Sequence, residues 1–147
     1  MKPPPFRYDR ADSVEGALEV LASSGDSTKV LAGGQSLMAL LNLRLARPEA
    51  VLDIWPLAEL REYGRSDGRL EIGALVTQRT LERDNAIGES CPLLAEAIPH
   101  VGHAAVRNRG TIGGTVAHAD PAAEVPVVLA ALGGSVTLRG VSGERAV

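Results

Sequence analysis

The stretch Lys29-Val30-Leu31-Ala32-Gly33-Gly34-Gln35-Ser36-Leu37 decides the fold of the first part of this chain. Lys29-Val30-Leu31 suits a short strand. It runs straight into a glycine pair, and a helical pattern opens at about Leu37. A strand that ends in a glycine turn and restarts as a helix is the joint of an α/β unit. Glycine loses more backbone freedom on folding than other residues, so a pair marks an unusual turn or a close approach.

The flanks agree with that reading. Pro3-Pro4-Pro5 holds the entry extended, and Phe6-Arg7-Tyr8 continues as a short strand. Asp12 or Ser13 can cap a helix whose apolar stripe is Val14, Ala17, Leu18 and Leu21, stopped by Ser23-Ser24-Gly25. Arg47-Pro48 is expected to end the second helix, because proline disfavours a helical residue before it. Val51-Leu52-Asp53-Ile54 reads as a buried strand. Residues 1–55 therefore read as a β-α-β-α-β lobe, with a boundary near Ile54 to Pro56.

Residues 56–147 read as a second lobe. Leu60 to Arg65 and Arg69 to Ile72 flank the turn Ser66-Asp67-Gly68, as in a hairpin. Thr77 can cap a helix through Leu81. Pro92 suits a first helical turn, and Leu93, Leu94, Ala97 and Ile98 give the next helix an apolar side. A helix is expected somewhere in Pro121 to Leu132, and Pro126 would break it unless it lies in the first turn. Ser135 to Leu138 reads as a strand and Gly140 to Gly143 as a turn. A partner strand opening near Arg145 is expected to remain unfinished at Val147.

Composition narrows the chemistry. The chain has 147 residues, 45% hydrophobic and 22% charged, an ordinary balance for a folded domain. Its net charge of −3 and 3% aromatic content argue against a nucleic-acid surface. No apolar run approaches the ~18 residues of a membrane span, and the start lacks a signal-peptide core, so a cytoplasmic chain is expected. The single cysteine, Cys91, excludes a disulfide framework or a thiolate cluster within the chain.

Two glycine loops carry the functional signal. Ala32 to Leu37 offers backbone N–H groups at the entry to a helix, which suits a pyrophosphate without any basic side chain. It is neither a Walker loop nor the Gly-x-Gly-x-x-Gly Rossmann fingerprint. Arg109-Gly110-Thr111-Ile112-Gly113-Gly114-Thr115 adds hydroxyls on Thr111 and Thr115 around bare backbone. Each loop alone fits either a ligand cradle or a tight turn.

Ala32-Gly33-Gly34-Gln35-Ser36-Leu37, Thr111-Ile112-Gly113-Gly114 and Asp120-Pro121-Ala122-Ala123-Glu124, in this order, resemble the FAD-binding medium subunit (subunit M) of the molybdenum hydroxylases. These are the carbon monoxide dehydrogenase and xanthine dehydrogenase relatives. The likeness runs from about Pro5 to the end and includes Tyr8, Arg47-Pro48 and Leu52-Asp53. It implies an α/β (α+β) domain of the molybdopterin dehydrogenase type, not Rossmann, with FAD between two lobes. By position, Ala32, Gly33, Gly34, Gln35, Ser36 and Leu37 would hold the pyrophosphate. Thr111, Ile112, Gly113, Gly114 and Thr115 would form a second wall, and Glu124, helped by Asp120, would meet the nucleotide part. Thr115 stands where the family often has Asn or Asp, which changes a local contact.

The resemblance further implies a flavoprotein oxidoreductase subunit with two partners. A large subunit would carry the molybdenum cofactor and a small subunit the [2Fe–2S] clusters, whose electrons would pass through FAD to an external acceptor. Flavin supplies the redox chemistry, so no catalytic side chain is expected. The resembled subunits are roughly twice as long, so a truncated chain without the C-terminal domain, inactive by itself, is also implied. Two other readings stand beside this one. A cofactor-free or weakly binding remnant would purify without colour. A generic α/β nucleotide-binding domain would use Gly33-Gly34 for another phosphate, which the second motif argues against.

The remaining candidates read more plainly. His100, His103 and His118 lack a carboxylate or cysteine at ligand spacing, so no metal site is expected. Cys91 reads as a buried structural thiol. Arg107 and Arg109 either offset pyrophosphate charge or are solvated loop charges. Trp55, beside Pro56, is expected to pack the lobe junction rather than stack on flavin.

Overall fold

The computed structural model describes residues 2–147. Its backbone contacts divide the chain into two units: residues up to Leu57 together with Ser135–Val147, and Ala58–Gly134.

The first unit is built on a three-stranded parallel sheet. β1 (Arg7–Arg10), α1 (Val14–Ser24), β2 (Thr28–Leu31), α2 (Leu37–Asn42) and β3 (Ala50–Asp53) follow one another, and the sheet order is β1-β3-β2. β3 is central, with Ala50 facing both Arg7 and Thr28 in register. Ala50-Val51-Leu52 is buried throughout, as the continuous apolar run of a covered parallel strand should be. Ser13 caps α1, its hydroxyl accepting the Gly16 N–H at 3.0 Å. Ala11, Val14, Ala17, Leu41 and Leu57 complete this core.

α2 ends earlier than Arg47-Pro48 predicts. Arg44 is left-handed, at φ 59°. The Leu45 N–H reaches the Leu40 carbonyl at 2.9 Å and the Arg44 N–H reaches Leu41 at 3.0 Å. Those crossed bonds are a Schellman stop with arginine where glycine is usual. A local backbone bond pattern, not the proline, terminates the helix.

The second unit opens on an antiparallel hairpin of β4 (Tyr63–Ser66) and β5 (Arg69–Ile72). Asp67 and Gly68 both have positive φ, 52° and 76°, as a two-residue hairpin turn requires. Six short helices follow: α3 (Gln78–Arg83), α4 (Asn85–Ser90), α5 (Pro92–Ala97), α6 (Ala104–Arg107), α7 (Ile112–His118) and α8 (Glu124–Ala131). Thr77 and Asp84 cap α3 and α4 through their side chains, and Pro92 takes the first turn of α5. Pro126 falls in the first turn of α8, where no intrahelical N–H is lost. Val76, Leu81, Ile87, Leu94, Ile98 and Val128 form one core cluster, with Cys91 packed against it and half-buried. Strand structure in this unit is confined, among the described residues, to the hairpin and a bridge between Thr77 and Thr111.

The chain ends in a second hairpin, β6 (Thr137–Gly140) and β7 (Gly143–Ala146). β7 opens at Gly143, two residues before the start expected near Arg145. Every residue of β6 pairs with one of β7, and Val136 and Val147 exchange both backbone hydrogen bonds, at 2.8 and 3.0 Å. All residues of the hairpin's two strands are exposed to some degree, and an Arg139–Glu144 ion pair of 2.7 Å links them. Residues 135–147 group with the first unit, although the sequence reading attached them to the second. Leu18 and two acids of α1, Glu15 and Glu19, line a groove with Arg139, Val141 and Glu144 of the hairpin.

Candidate functional site

The Ala32–Ser36 loop leaves the C-terminal end of β2. Gly33 is buried, and Gly34 sits at φ 76°, a left-handed position that disfavours any side chain. A Cβ on Gly34 would lie 3.2 Å from the Leu31 Cδ1 and 3.3 Å from the Met38 Cγ. Gln35 folds back, its Nε2 donating to the Gly33 carbonyl at 3.1 Å. The N–H groups of Gly33, Gly34, Gln35 and Ser36 donate no hydrogen bond among the described residues. Backbone donors normally find a partner, so four successive open ones mark a place for water or a ligand acceptor. Ser36 does not cap α2 with its side chain, and α2 has only six residues. The donors therefore come from the loop itself rather than from a long helix dipole.

Asp53, at the end of β3, is in register with Leu31 at this end of the sheet. Its two oxygens are engaged: Oδ2 by the Tyr8 hydroxyl and Oδ1 by the Trp55 N–H at 2.8 Å. The bond to Asp53 holds the Tyr8 phenol above its ordinary pKa. The acid at the loop's end of the sheet is thus tied to β1 and to the chain after β3. This pairing is visible only once β1 and β3 are known to be neighbours.

The second glycine pair lies inside a helix, in the first turn of α7, where the sequence suggested a loop. Thr111 is its N-cap, 2% exposed, and its hydroxyl accepts the Gly114 N–H at 3.0 Å. Thr115 donates its hydroxyl proton to the Thr111 carbonyl at 3.1 Å and accepts from the Gln78 Nε2 at 2.8 Å. The strap is stitched to residues 74–78. Gln78 N–H bonds the Gly110 carbonyl (2.9 Å), Ile112 N–H bonds Val76 (3.0 Å) and Gly113 N–H bonds Ala74 (3.0 Å). Gly113 is glycine because a Cβ there would stand 2.6 to 2.8 Å from Ala74. Both hydroxyls of this motif are therefore engaged within the protein. What it presents outward is the half-buried surface of Ile112, Gly113 and Gly114.

Downstream, Ala119 ends α7 in the left-handed region at φ 54°. Asp120 is exposed and its Oδ1 accepts the Ala122 N–H at 2.9 Å, shaping the turn into α8. Glu124 is the first residue of α8, half-buried, and α7 and α8 pack on one another.

Arg107 is neither a solvated loop charge nor a pyrophosphate ligand. It is buried, and its Nε and Nη2 clasp both oxygens of Glu82 at 3.0 and 2.9 Å. Its Nη1 donates to the carbonyls of Pro99, Val101 and Gly102. Arg79 adds a 2.7 Å bond to Glu82. Hydrogen bonds from Arg107 and then Arg79 hold the Glu82 carboxyl down at about 2, against the opposing pull of burial. Sequence reasoning missed Glu82, because its partner lies 25 positions away. Arg109 is exposed, as are His100, His103 and His118. No cluster of three potential metal-binding side chains occurs among the described residues. None of the described helices is long and apolar enough to cross a membrane.

A parallel sheet whose glycine loop leaves its N–H groups open, without a Rossmann fingerprint, makes this an α/β domain with a loop suited to an anionic group. The family described as the FAD binding domain in molybdopterin dehydrogenase matches residues 4–147, and this chain belongs to it. It is 50% identical to the 6-hydroxypseudooxynicotine dehydrogenase complex subunit alpha of Paenarthrobacter nicotinovorans, over 99% of this chain and 49% of that one. It is 41% identical to the caffeine dehydrogenase subunit beta of Pseudomonas sp. (strain CBB1), over 99% and 50%. The fold matches the crystal structure of quinoline 2-oxidoreductase from Pseudomonas putida 86 with a TM-score of 0.96 and 40% identity, covering 100% of this chain and 51% of that one. The chain thus spans about half the length of the relatives it matches. The first loop fits the family's cofactor: its open donors suit the acceptor-rich pyrophosphate of FAD, and no acidic residue lies within it.

Proposed function

We propose that this chain is the FAD-binding part of the medium subunit of a molybdenum-containing hydroxylase or dehydrogenase. In that assembly a small subunit holds the [2Fe–2S] clusters, a large subunit holds the molybdenum cofactor, and an external acceptor takes the electrons that leave. The observation that carries the reading is the run of open N–H groups from Gly33 to Ser36 in a chain of this family. Ala32 to Ser36, with Leu37 beginning α2, bind the pyrophosphate. Ile112, Gly113 and Gly114 offer close backbone approach to another part of FAD. Thr111 and Thr115 act by shaping that backbone, and Asp120 and Glu124 flank it at the start of α8. FAD would supply the capacity to take electrons one at a time from [2Fe–2S] clusters and to hold two for the acceptor. The protein's own work is to bind and orient it.

The partner assignment rests on the family and on the cysteine count. One cysteine cannot ligate an iron–sulfur cluster that needs four thiolates, so these 147 residues hold none of the clusters themselves, in keeping with the family's separate small subunit. Two measurements test the whole reading. Heat release and chromatography of the protein from its native host should yield FAD, not FMN or a nicotinamide. Co-purification should bring down a small two-cluster subunit and a large molybdenum subunit. A colourless protein, or a clean monomer turning over its own substrate, would refute it.

A further inference from the structure

We propose that Gln78 is a positioning residue for the cofactor-binding segment Thr111–Thr115, acting through the Thr115 hydroxyl; this rests on the FAD-binding reading above. Gln78 opens α3, distant in sequence from both glycine motifs, and yet is only 2% exposed. A buried carboxamide needs a reason, since burying polar groups is unfavourable unless they are hydrogen-bonded. Here its Nε2 donates to Thr115 Oγ1 at 2.8 Å, across 37 positions of sequence.

That bond fixes the direction of a relay. With one lone pair of Oγ1 accepting from Gln78, the Thr115 hydroxyl proton is left to point at the Thr111 carbonyl, 3.1 Å away. Thr111 in turn accepts the Gly114 N–H on its own hydroxyl. Gln78 thus donates to Thr115 and Thr115 to the Thr111 carbonyl, while the Gly114 N–H donates to the Thr111 hydroxyl, so the bonds converge on Thr111 in the first turn of α7. The same glutamine also anchors the strap from the other side, its backbone N–H bonding the Gly110 carbonyl at 2.9 Å. Its Oε1 lies so close over Gly110 that a Cβ there would stand 2.6 Å from it. That oxygen is buried with no hydrogen-bond partner among the described residues. An unpartnered acceptor is kept where the donor half of the same amide has a task. A glutamine that merely filled space would be replaced without loss by an apolar side chain of its size.

Glycines leave α7 intrinsically soft, so the side-chain relay sets how Ile112, Gly113 and Gly114 face outward.

The test uses Gln78→Met, which keeps the volume and removes the donor, Thr115→Val, which keeps the shape and removes the hydroxyl, and the pair combined. Each protein is prepared from the native host with whatever co-purifies, stripped of flavin and titrated with FAD. Each single variant should weaken FAD binding about tenfold, and the pair should weaken it no further, because contacting groups in one network are not additive. Both should also alter the visible circular dichroism of bound flavin, which a purely structural role would leave unchanged. Thr115→Ser, which retains the hydroxyl, should bind within about twofold of the original. If Gln78→Met melts earlier but binds FAD within about twofold and with unaltered flavin dichroism, the positioning role is overturned while the functional reading survives. If the unsubstituted protein itself takes up no FAD, both fall together.

Discussion

The positive φ of Gly34 and the packing of Gly113 make different demands on the same residue type. At Gly34 the demand is conformational, and the flexible ends of Leu31 and Met38 can yield to a small side chain. Gly34→Ala should destabilise by about 1–2 kcal/mol from backbone strain, while FAD affinity falls more than tenfold because the N–H groups turn away. At Gly113 the obstacle is the Ala74 backbone, which cannot yield. Gly113→Ala should therefore cost about 3 kcal/mol or more by overpacking, and should be read first as a loss in urea midpoint. Glu82 supplies a third test. Its carboxyl is held at about 2 in the folded chain, below the ordinary value of 4.5. A lowered pKa stabilises the fold above the ordinary value, and that stability is lost as pH falls from about 4.5 toward 2. Glu82→Gln should flatten the acid limb of a stability–pH curve over that window. Removing Arg107 leaves Glu82 with Arg79 alone and the Pro99, Val101 and Gly102 carbonyls without their donor, and should lower the urea midpoint.

Short helices place every functional group in the second unit, and their ends are where sequence and structure part. Thr77, Pro92 and the Ser66-Asp67-Gly68 turn were legible because capping and turn chemistry act over a few residues. α4 and α7 escaped the sequence reading. Asn85-Ala86-Ile87-Gly88-Glu89-Ser90 and Ile112-Gly113-Gly114-Thr115 are poor helix formers. They become helical because Asp84 and Thr111 cap them, Ile87 is buried in the core and the N–H groups of Ile112 and Gly113 are pinned to Val76 and Ala74. α2 shows the opposite error: a regular apolar pattern continued past the point where Arg44 turns left-handed. Both left-handed non-glycine helix ends should respond alike. Arg44→Gly and Ala119→Gly each remove steric strain of about 1 kcal/mol, partly offset by unfolded-chain entropy. A net gain of a few tenths to ~0.5 kcal/mol is expected in urea denaturation.

On the scale of the whole chain, the two contact units give a prediction about cooperativity. The terminal hairpin shares a groove with Glu15, Leu18 and Glu19 of α1, and its residues group with the first unit. Deleting 135–147 should therefore raise amide exchange in α1 while leaving α3, α5 and α8 as protected as before. Hydrogen exchange by mass spectrometry reads this directly. Loosening of the second unit alone would mean that the hairpin belongs there after all, as the linear reading had it.

The sequence by itself determined the alternation of strands and helices around Ala32–Leu37, the strand Ala50–Asp53 and the family. These depend on period, turn residues and ordered glycine motifs, all of which are local. Only the tertiary structure decided what the second glycine pair is for, which arginine is buried and where the chain's last strands belong. Gly113 is set by Ala74, Arg107 by Glu82, and Thr115 by Gln78. Each of those partners lies tens of positions away along the chain. Contacts of that span leave no periodic trace in one sequence, because a side chain's pattern records which face is buried and not what it is buried against.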